Sequence, residues 1–278
     1  MSGTFVITGT DTDIGKTVFA AALTAALGGY YWKPVQAGLA DETDSEAVAR
    51  IGGVDPGKIL PERYRLTIPA SPHFSAAEEG VAIARDDFAI PEVDGPLVIE
   101  GAGGALVPVN PELLFADLFA DWGLPVIIVA STRLGTINHS LLTIEALGRR
   151  GVPVHGVAFT GPENVDSEQT ICRIGNVRHL GRLPWIDRLE PDDVKTAFDS
   201  HFNLADFAIC ASISGTRSPS TASVNRFRRS PGPRARRFTG RTEPGSSTRY
   251  RAGGCRPMVI AIPLSSRRSR SRAPGLTK

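Results

Sequence analysis

Short apolar runs without polar alternation recur along the chain at Phe5-Val6-Ile7, Leu97-Val98-Ile99 and Pro125 to Ala130, and Val154 to Phe159 is a further strand. Such β-branched runs mark strands covered on both faces, since a strand with one wet face alternates apolar and polar positions. Between them, the alanine-rich Val18 to Leu27, the segment Leu113 to Trp122 and a segment running to Arg150 carry helical spacing. Gly28-Gly29 ends the first helix, as glycine just past a helix does. Tyr30-Tyr31-Trp32 is a further short strand, stopped by Lys33-Pro34. The turn-rich Val35 to Thr43 leads to a helix from Ser45 to about Ile51, which Asp44 can cap and Gly52-Gly53 closes. From there to about Pro91 the chain is proline-rich and predicts loop or short helix, with strand character only near Tyr64 to Leu66. A helix around Glu168 to Ile174, a short strand near Leu180 to Leu183 and a helix after Pro191 follow the last long run. Strands alternating with helices through short connections predict right-handed crossovers, and so an open, mostly parallel α/β sheet with helices on both faces.

This patterning stops near Phe207. Residues 1–207 carry 15 Lys or Arg against 28 Asp or Glu, whereas residues 208–278 carry 16 against 1, a contrast hidden in the net charge of +2. The tail is rich in Arg, Ser, Pro and Gly, with one apolar stretch at Met258 to Leu264, and such a composition buries too little surface to fold alone. One domain over 1–207 and a disordered tail over 208–278 are expected. Two readings of the tail stand: a basic arm that attracts nucleic-acid phosphates without sequence preference, or read-through or out-of-frame translation with no selected role. Sparse aromatic residues and the lack of a nucleic-acid module favour the second. Cys172, Cys210 and Cys255 lie far apart with no paired spacing, which argues against a disulfide framework or a zinc site. No leader sequence opens the chain and no apolar run reaches the roughly 18 residues of a membrane span, so a cytoplasmic protein without membrane association is expected.

The first strand enters Thr8-Gly9-Thr10-Asp11-Thr12-Asp13-Ile14-Gly15-Lys16-Thr17 and leaves as a helix. A tight loop opening a helix converges backbone N–H groups and the positive end of the helix dipole on one point, which suits phosphate. Lys16 then reaches terminal phosphates and the Thr17 hydroxyl can ligate magnesium. The motif differs from the usual P-loop: Thr10 stands at the first-glycine position and Gly9 lies one residue upstream. Glu100 ends an apolar run before Gly101-Ala102-Gly103-Gly104, where an ionised carboxylate is costly unless paired. Asp44 is either a helix cap or a metal ligand, and Asn138 either a cap or part of a helix start that catches a carboxylate. His73 and His139 are expected to be structural. Ligands of open α/β sheets sit beyond the carboxyl ends of the strands, and Lys16, Thr17, Lys33, Glu100 and the turn before Asn138 each follow a strand.

Over residues 3–207, these motifs, with Trp32-Lys33-Pro34-Val35-Gln36-Ala37-Gly38, Thr43-Asp44, Ser71-Pro72-His73 and Leu134-Gly135-Thr136-Ile137-Asn138-His139, resemble the dethiobiotin synthetases. These ATP-dependent ligases of biotin synthesis close a ureido ring on diaminopelargonate with CO2. The resemblance implies a P-loop NTPase-like fold and a homodimer with substrate bound across the subunit interface. It implies magnesium held by Thr17, Asp44 and Glu100, and catalytic roles for Lys16, Lys33 and Thr12. ATP would be bound by Asp13, Ile14, Gly15, Lys16, Thr17, Val18, Glu100, Gly101, Gly103, Gly104, Pro184 and Trp185. The diamine substrate would meet Thr12, Lys33, Thr136, Ile137 and Asn138.

Three positions depart from the family pattern. Asp13 stands where Glu is frequent, Ala37 where many relatives have Ser, and Phe159 where some place an Asn that reads adenine. Two other classes compete. A partition-type or signalling ATPase acting through a protein partner would carry an extra lysine near the start of its loop, absent here. An amidotransferase-like relative would need a following glutaminase domain with a cysteine nucleophile and its histidine, and the tail offers neither.

Overall fold

The computed structural model describes residues 3–208; the expectations for the tail beyond, including Cys210, Cys255 and Met258 to Leu264, lie outside the described residues. The described residues all belong to one compact unit.

Strand β1 (Thr4–Gly9) is buried throughout. It leads through the glycine-bearing turn to helix α1 (Lys16–Leu27), which starts at Lys16 rather than Val18 and ends at Gly28 in the left-handed region. Strand β2 (Tyr30–Trp32) follows. The next residues form strand β3 (Val35–Ala37) where turn was expected, because it finds a parallel partner 29 residues on, at β5 (Tyr64–Leu66). Helix α2 (Asp44–Gly52) is capped by Thr43, whose side chain accepts from the Glu46 N–H while Glu46 reaches back to Thr43. That capping box replaces the expected Asp44 cap and frees Asp44 to project elsewhere. Between β3 and the next long strand lie β4 (Ile59–Leu60) and helix α3 (Pro72–Glu78).

Strand β6 (Leu97–Gly104) runs from core to surface. The hairpin β7 (Pro108–Asn110) and β8 (Leu113–Leu114) takes the two leucines expected to start a helix, so that α4 (Phe115–Trp122) begins later. Then come β9 (Val126–Ser131), α5 (Thr136–Gly148), β10 (Val154–Thr160), α6 (Val165–Gly175, capped by Asn164), β11 (His179–Leu183) and α7 (Pro191–His201).

Seven strands form one sheet in the order β11-β10-β9-β1-β6-β2-β4, every pairing parallel. Successive strand side chains point to opposite faces, so the buried runs feed two cores. Phe5, Ile7, Val98, Ile127 and Ala158 meet residues of α1, α2 and α7. Val6, Ile99, Ile128, Val157 and Phe159 meet residues of α4, α5 and α6. Alanines at 20, 21 and 22 let α1 lie close beneath its neighbours. The carboxyl ends of β1, β2 and β6 thereby open on one edge, beside the start of α1.

Candidate functional site

Six residues, Thr10 to Gly15, join β1 to α1. Lys16 folds back over Gly9: a Cβ there would lie 2.8 Å from Lys16 Cδ and 2.9 Å from Nζ. Its Nζ donates to the Asp11 carbonyl at 2.8 Å. Gly15 has φ 92° and supplies no side-chain cap to α1, leaving the N–H groups of the first turn available for an anion. Asp13 is left-handed too, at φ 54°, a conformation aspartate tolerates better than most residues. From β10, the Thr160 hydroxyl donates to the Ile14 carbonyl and ties the loop to the sheet.

Strand register brings the charges to this loop. Glu100 pairs with Ile7, and Trp32 of β2 pairs with Ile99, so Lys33 leaves β2 beside Glu100. Lys33 Nζ lies 2.5 Å from Asp44 Oδ2 and 3.4 Å from Glu100 Oε1. The Thr17 hydroxyl is 2.7 Å from Asp44 Oδ1 and 3.0 Å from Glu100 Oε1. Tyr31 donates to Glu100 Oε2 at 2.9 Å.

Burial sets the protonation behaviour of these groups. It pushes the Lys16 ammonium below the usual lysine range, against the pull of Glu100. Burial presses Lys33 the same way, but the Glu100 and Asp44 carboxylates more than offset it and hold Lys33 above that range. Burial raises the Glu100 carboxyl despite Lys33 and Lys16, whereas at Asp44 the desolvation is outweighed by Lys33 and by its hydrogen bonds, and the carboxyl sits low. Lys33 thus bridges the two carboxylates.

Among the described residues no group of three or more His, Cys, Asp or Glu could hold a metal. The Thr17, Asp44 and Glu100 set offers two carboxylates and a hydroxyl, all hard oxygen donors, and a magnesium site completes itself with phosphate oxygens and water. Thr17 Oγ1 has one proton but two carboxylate oxygens within 3.0 Å. With both carboxyls ionised, one of those close oxygen pairs lacks a proton between its members, an arrangement a divalent cation would relieve. The residues fit the group.

A cavity of about 850 Å3 opens over the loop. Thr12, Asp13, Ile14, Gly15, Lys16, Thr17, Val18, Lys33, Asp44, Glu100, Gly103 and Trp185 all line it. Gly101, Gly104, Pro184, Thr136, Ile137 and Asn138 do not. Gly101 is a packing position, where a Cβ would come within 3.1 Å of Phe119. Gly104 borders a second cavity of about 450 Å3, with Thr10, Asp11, His139 and Leu142. Thr12 stands on the ridge between the two. Gly135, not Asn138, is the N-cap of α5; Thr136 is buried and Asn138 exposed in its first turn.

Three neighbours of the site carry no advance signal of a role. Tyr31 sits in a run of three aromatic residues that marks a strand but no partner for the phenol. Gln36 accepts from the Asp44 N–H at 3.3 Å and donates to the carbonyls of Ala37 and Gly38. Thr160 is the last residue of its strand. Phe159 faces the opposite way to Thr160, fully buried and stacked on His179 with ring centroids 5.2 Å apart, away from the loop. His73 bonds Ser71, at 3.0 Å. Trp185 is exposed beneath the Arg133 guanidinium, 5.7 Å from its ring centroid.

A family model described as an AAA domain matches residues 3–193. The protein of Agrobacterium fabrum (strain C58 / ATCC 33970) described as ATP-dependent dethiobiotin synthetase BioD is 59% identical over 74% of this chain and 98% of its own length. Proteins of the same description from Afipia carboxidovorans and Novosphingobium aromaticivorans are 56% and 58% identical, over 74% and 73% of this chain and 99% and 98% of theirs. A ParA family ATPase from Chlorobium tepidum TLS is 10% identical over 71% of this chain and 92% of its own, with a TM-score of 0.42, too slight a likeness to inform function.

Proposed function

The chain belongs to the dethiobiotin synthetase family of ATP-dependent ligases, and from that premise we propose how its own residues carry the ring closure of diaminopelargonate (7,8-diaminononanoate) with CO2. The observation that carries the reading is the convergence of Lys16, Lys33 and the Thr17, Asp44 and Glu100 oxygens on one wall of the larger cavity.

One substrate amine adds to CO2 and loses a proton, giving a carbamate. A carbamate oxygen attacks the γ-phosphorus of ATP in line, ADP leaves, and a carbamic-phosphoric anhydride forms. The second amine attacks the carbonyl carbon, the C–O bond to phosphate breaks, a proton is lost and the ring closes. Lys16 binds the terminal phosphates of ATP, while Lys33 offsets the charge of the carbamate. Pre-placed cations of this kind stabilise the charge that develops as the phosphoryl group moves. Thr17, Asp44 and Glu100 would hold magnesium, which when bound neutralises phosphate charge. Trp185 and Pro184 would flank the base of the nucleotide.

Thr12, on the ridge between the cavities, would meet the diamine. Its far carboxylate would be caught at the first turn of α5, Thr136, Ile137 and Asn138, of a second copy of the chain, since this helix start does not line the larger cavity; the N–H groups of Ile137 and Asn138 would donate, that of Thr136 being bonded to the Arg133 carbonyl at 3.1 Å. Exposed Leu134 and Leu142 on this side are apolar surface for such a homodimer.

Phosphate release that requires both the diamine and bicarbonate separates this ligase from an ATPase working through a protein partner. With labelled bicarbonate, one labelled oxygen is expected in the phosphate when washout to water is controlled. Unlabelled phosphate would exclude attack by the carbamate.

A further inference from the structure

Tyr31 lies wholly in the core on the α1 side of the sheet, yet it carries a polar group that burial makes expensive to leave unpaired. Its hydroxyl spends its proton on Glu100 Oε2, at 2.9 Å, across 69 residues of sequence. Among the described residues it is the one donor to that oxygen. The other oxygen, Oε1, faces Thr17 at 3.0 Å and Lys33 at 3.4 Å. The carboxylate is therefore divided: one oxygen is anchored in the core and one is presented to the site. Strand pairing makes the division rigid, because Tyr31 pairs with Val98, two residues from Glu100 and on the same face of the sheet. Without the phenol, the carboxylate could rotate or leave an oxygen bare in an apolar core, and either change degrades the oxygen offered to a cation.

We infer that Tyr31 is a positioning residue for Glu100, holding Oε2 in the core so that Oε1 faces the divalent cation that Thr17 and Asp44 share. The inference rests on the magnesium assignment made above for Thr17, Asp44 and Glu100, and the test separates the two.

ATP affinity is measured calorimetrically on the full chain in excess magnesium and again in EDTA, and the ratio of the two dissociation constants gives the gain due to the metal. Tyr31→Phe keeps the ring and removes only the donor. Loss of one hydrogen bond to a charged group predicts a gain about tenfold smaller than wild type, with affinity in EDTA unchanged. A purely structural tyrosine would lower the melting temperature and leave the ratio alone. Glu100→Gln, measured beside it, should shrink the gain with Tyr31 intact. A diminished gain in Glu100→Gln with a wild-type gain in Tyr31→Phe overturns the role of Tyr31 alone; an undiminished gain in Glu100→Gln overturns the metal assignment and the inference with it. Should Tyr31→Phe fold poorly, the double variant Tyr31→Phe/Glu100→Gln leaves no carboxylate without its donor and is compared with Glu100→Gln. Equal gains are expected, and a further drop in the double variant overturns the proposal.

Discussion

Two helices of this protein start in nearly the same way. α1 follows Gly15 at φ 92° and α5 follows Gly135 at φ 95°; neither has a side-chain cap, and each leaves the carboxyl end of an interior strand, β1 or β9. Their surroundings differ. At Gly15 an added Cβ would come within 3.3 Å of Thr160, whereas at Gly135 it would meet nothing within 4 Å. The first start is walled by β10, β6 and the Lys33–Asp44 pair, while the second has exposed Leu134 before it and exposed Asn138 in its first turn. A left-handed glycine opens both helices, but at α5 the Thr136 N–H already donates to the Arg133 carbonyl at 3.1 Å, leaving Ile137 and Asn138 for an anion, whereas at α1 the walls bring cations to the first turn. The bare start is the one for which a second copy of the chain is proposed as the missing wall.

The sharpest way to break this comparison is to remove the cation of the walled start. Lys16→Ala should abolish turnover, a loss of at least about 10²–10³-fold if its charge acts on the transferring phosphoryl group. Circular dichroism and melting temperature should stay near wild type. Near-normal turnover with normal nucleotide affinity would remove the phosphate-loop assignment. Next in size, Thr17→Val should weaken ATP binding in magnesium by about tenfold and leave binding in EDTA unchanged, as calorimetry reads directly.

At the bare start, Asn138→Pro, which removes one first-turn N–H at a position where proline is tolerated, should raise KM for the diamine by up to about tenfold with ATP affinity untouched. Equal effects on both substrates would mean that this helix start does not act on the diamine alone. Smaller still, Gly135→Ala should cost about 1–2 kcal/mol from its backbone conformation, and Gly15→Ala should cost more because Thr160 must also give way. Chemical denaturation compares the two. The smallest effect expected is none: a chain truncated after Phe207 should bind nucleotide and turn over as the full chain does. Failure to fold or to dimerise would show that later residues complete the domain.

The alternation of buried strands with helices, the phosphate loop and the helix ending at Gly28 could be read from residue order alone. Each depends on interactions within a few residues, such as continuous burial, left-handed glycine and helix spacing. Lys33, Asp44 and Glu100 could be singled out as following strands or opening a helix, though only the register of β2 and β6 sets Lys33 beside Glu100 and only the packing of α2 brings Asp44 to them. Local pattern was silent where pairing is distant. β3 became a strand because β5 lay beside it, and Thr43 with Glu46, rather than Asp44, closed the start of α2. It was silent too on Tyr31, since nothing in a run of three aromatic residues says which phenol will meet a carboxylate 69 residues away. Only the assembled sheet decided that, because the face a strand residue occupies follows from local alternation, but its neighbour across the sheet follows from register, which is set by the burial of whole strands at once.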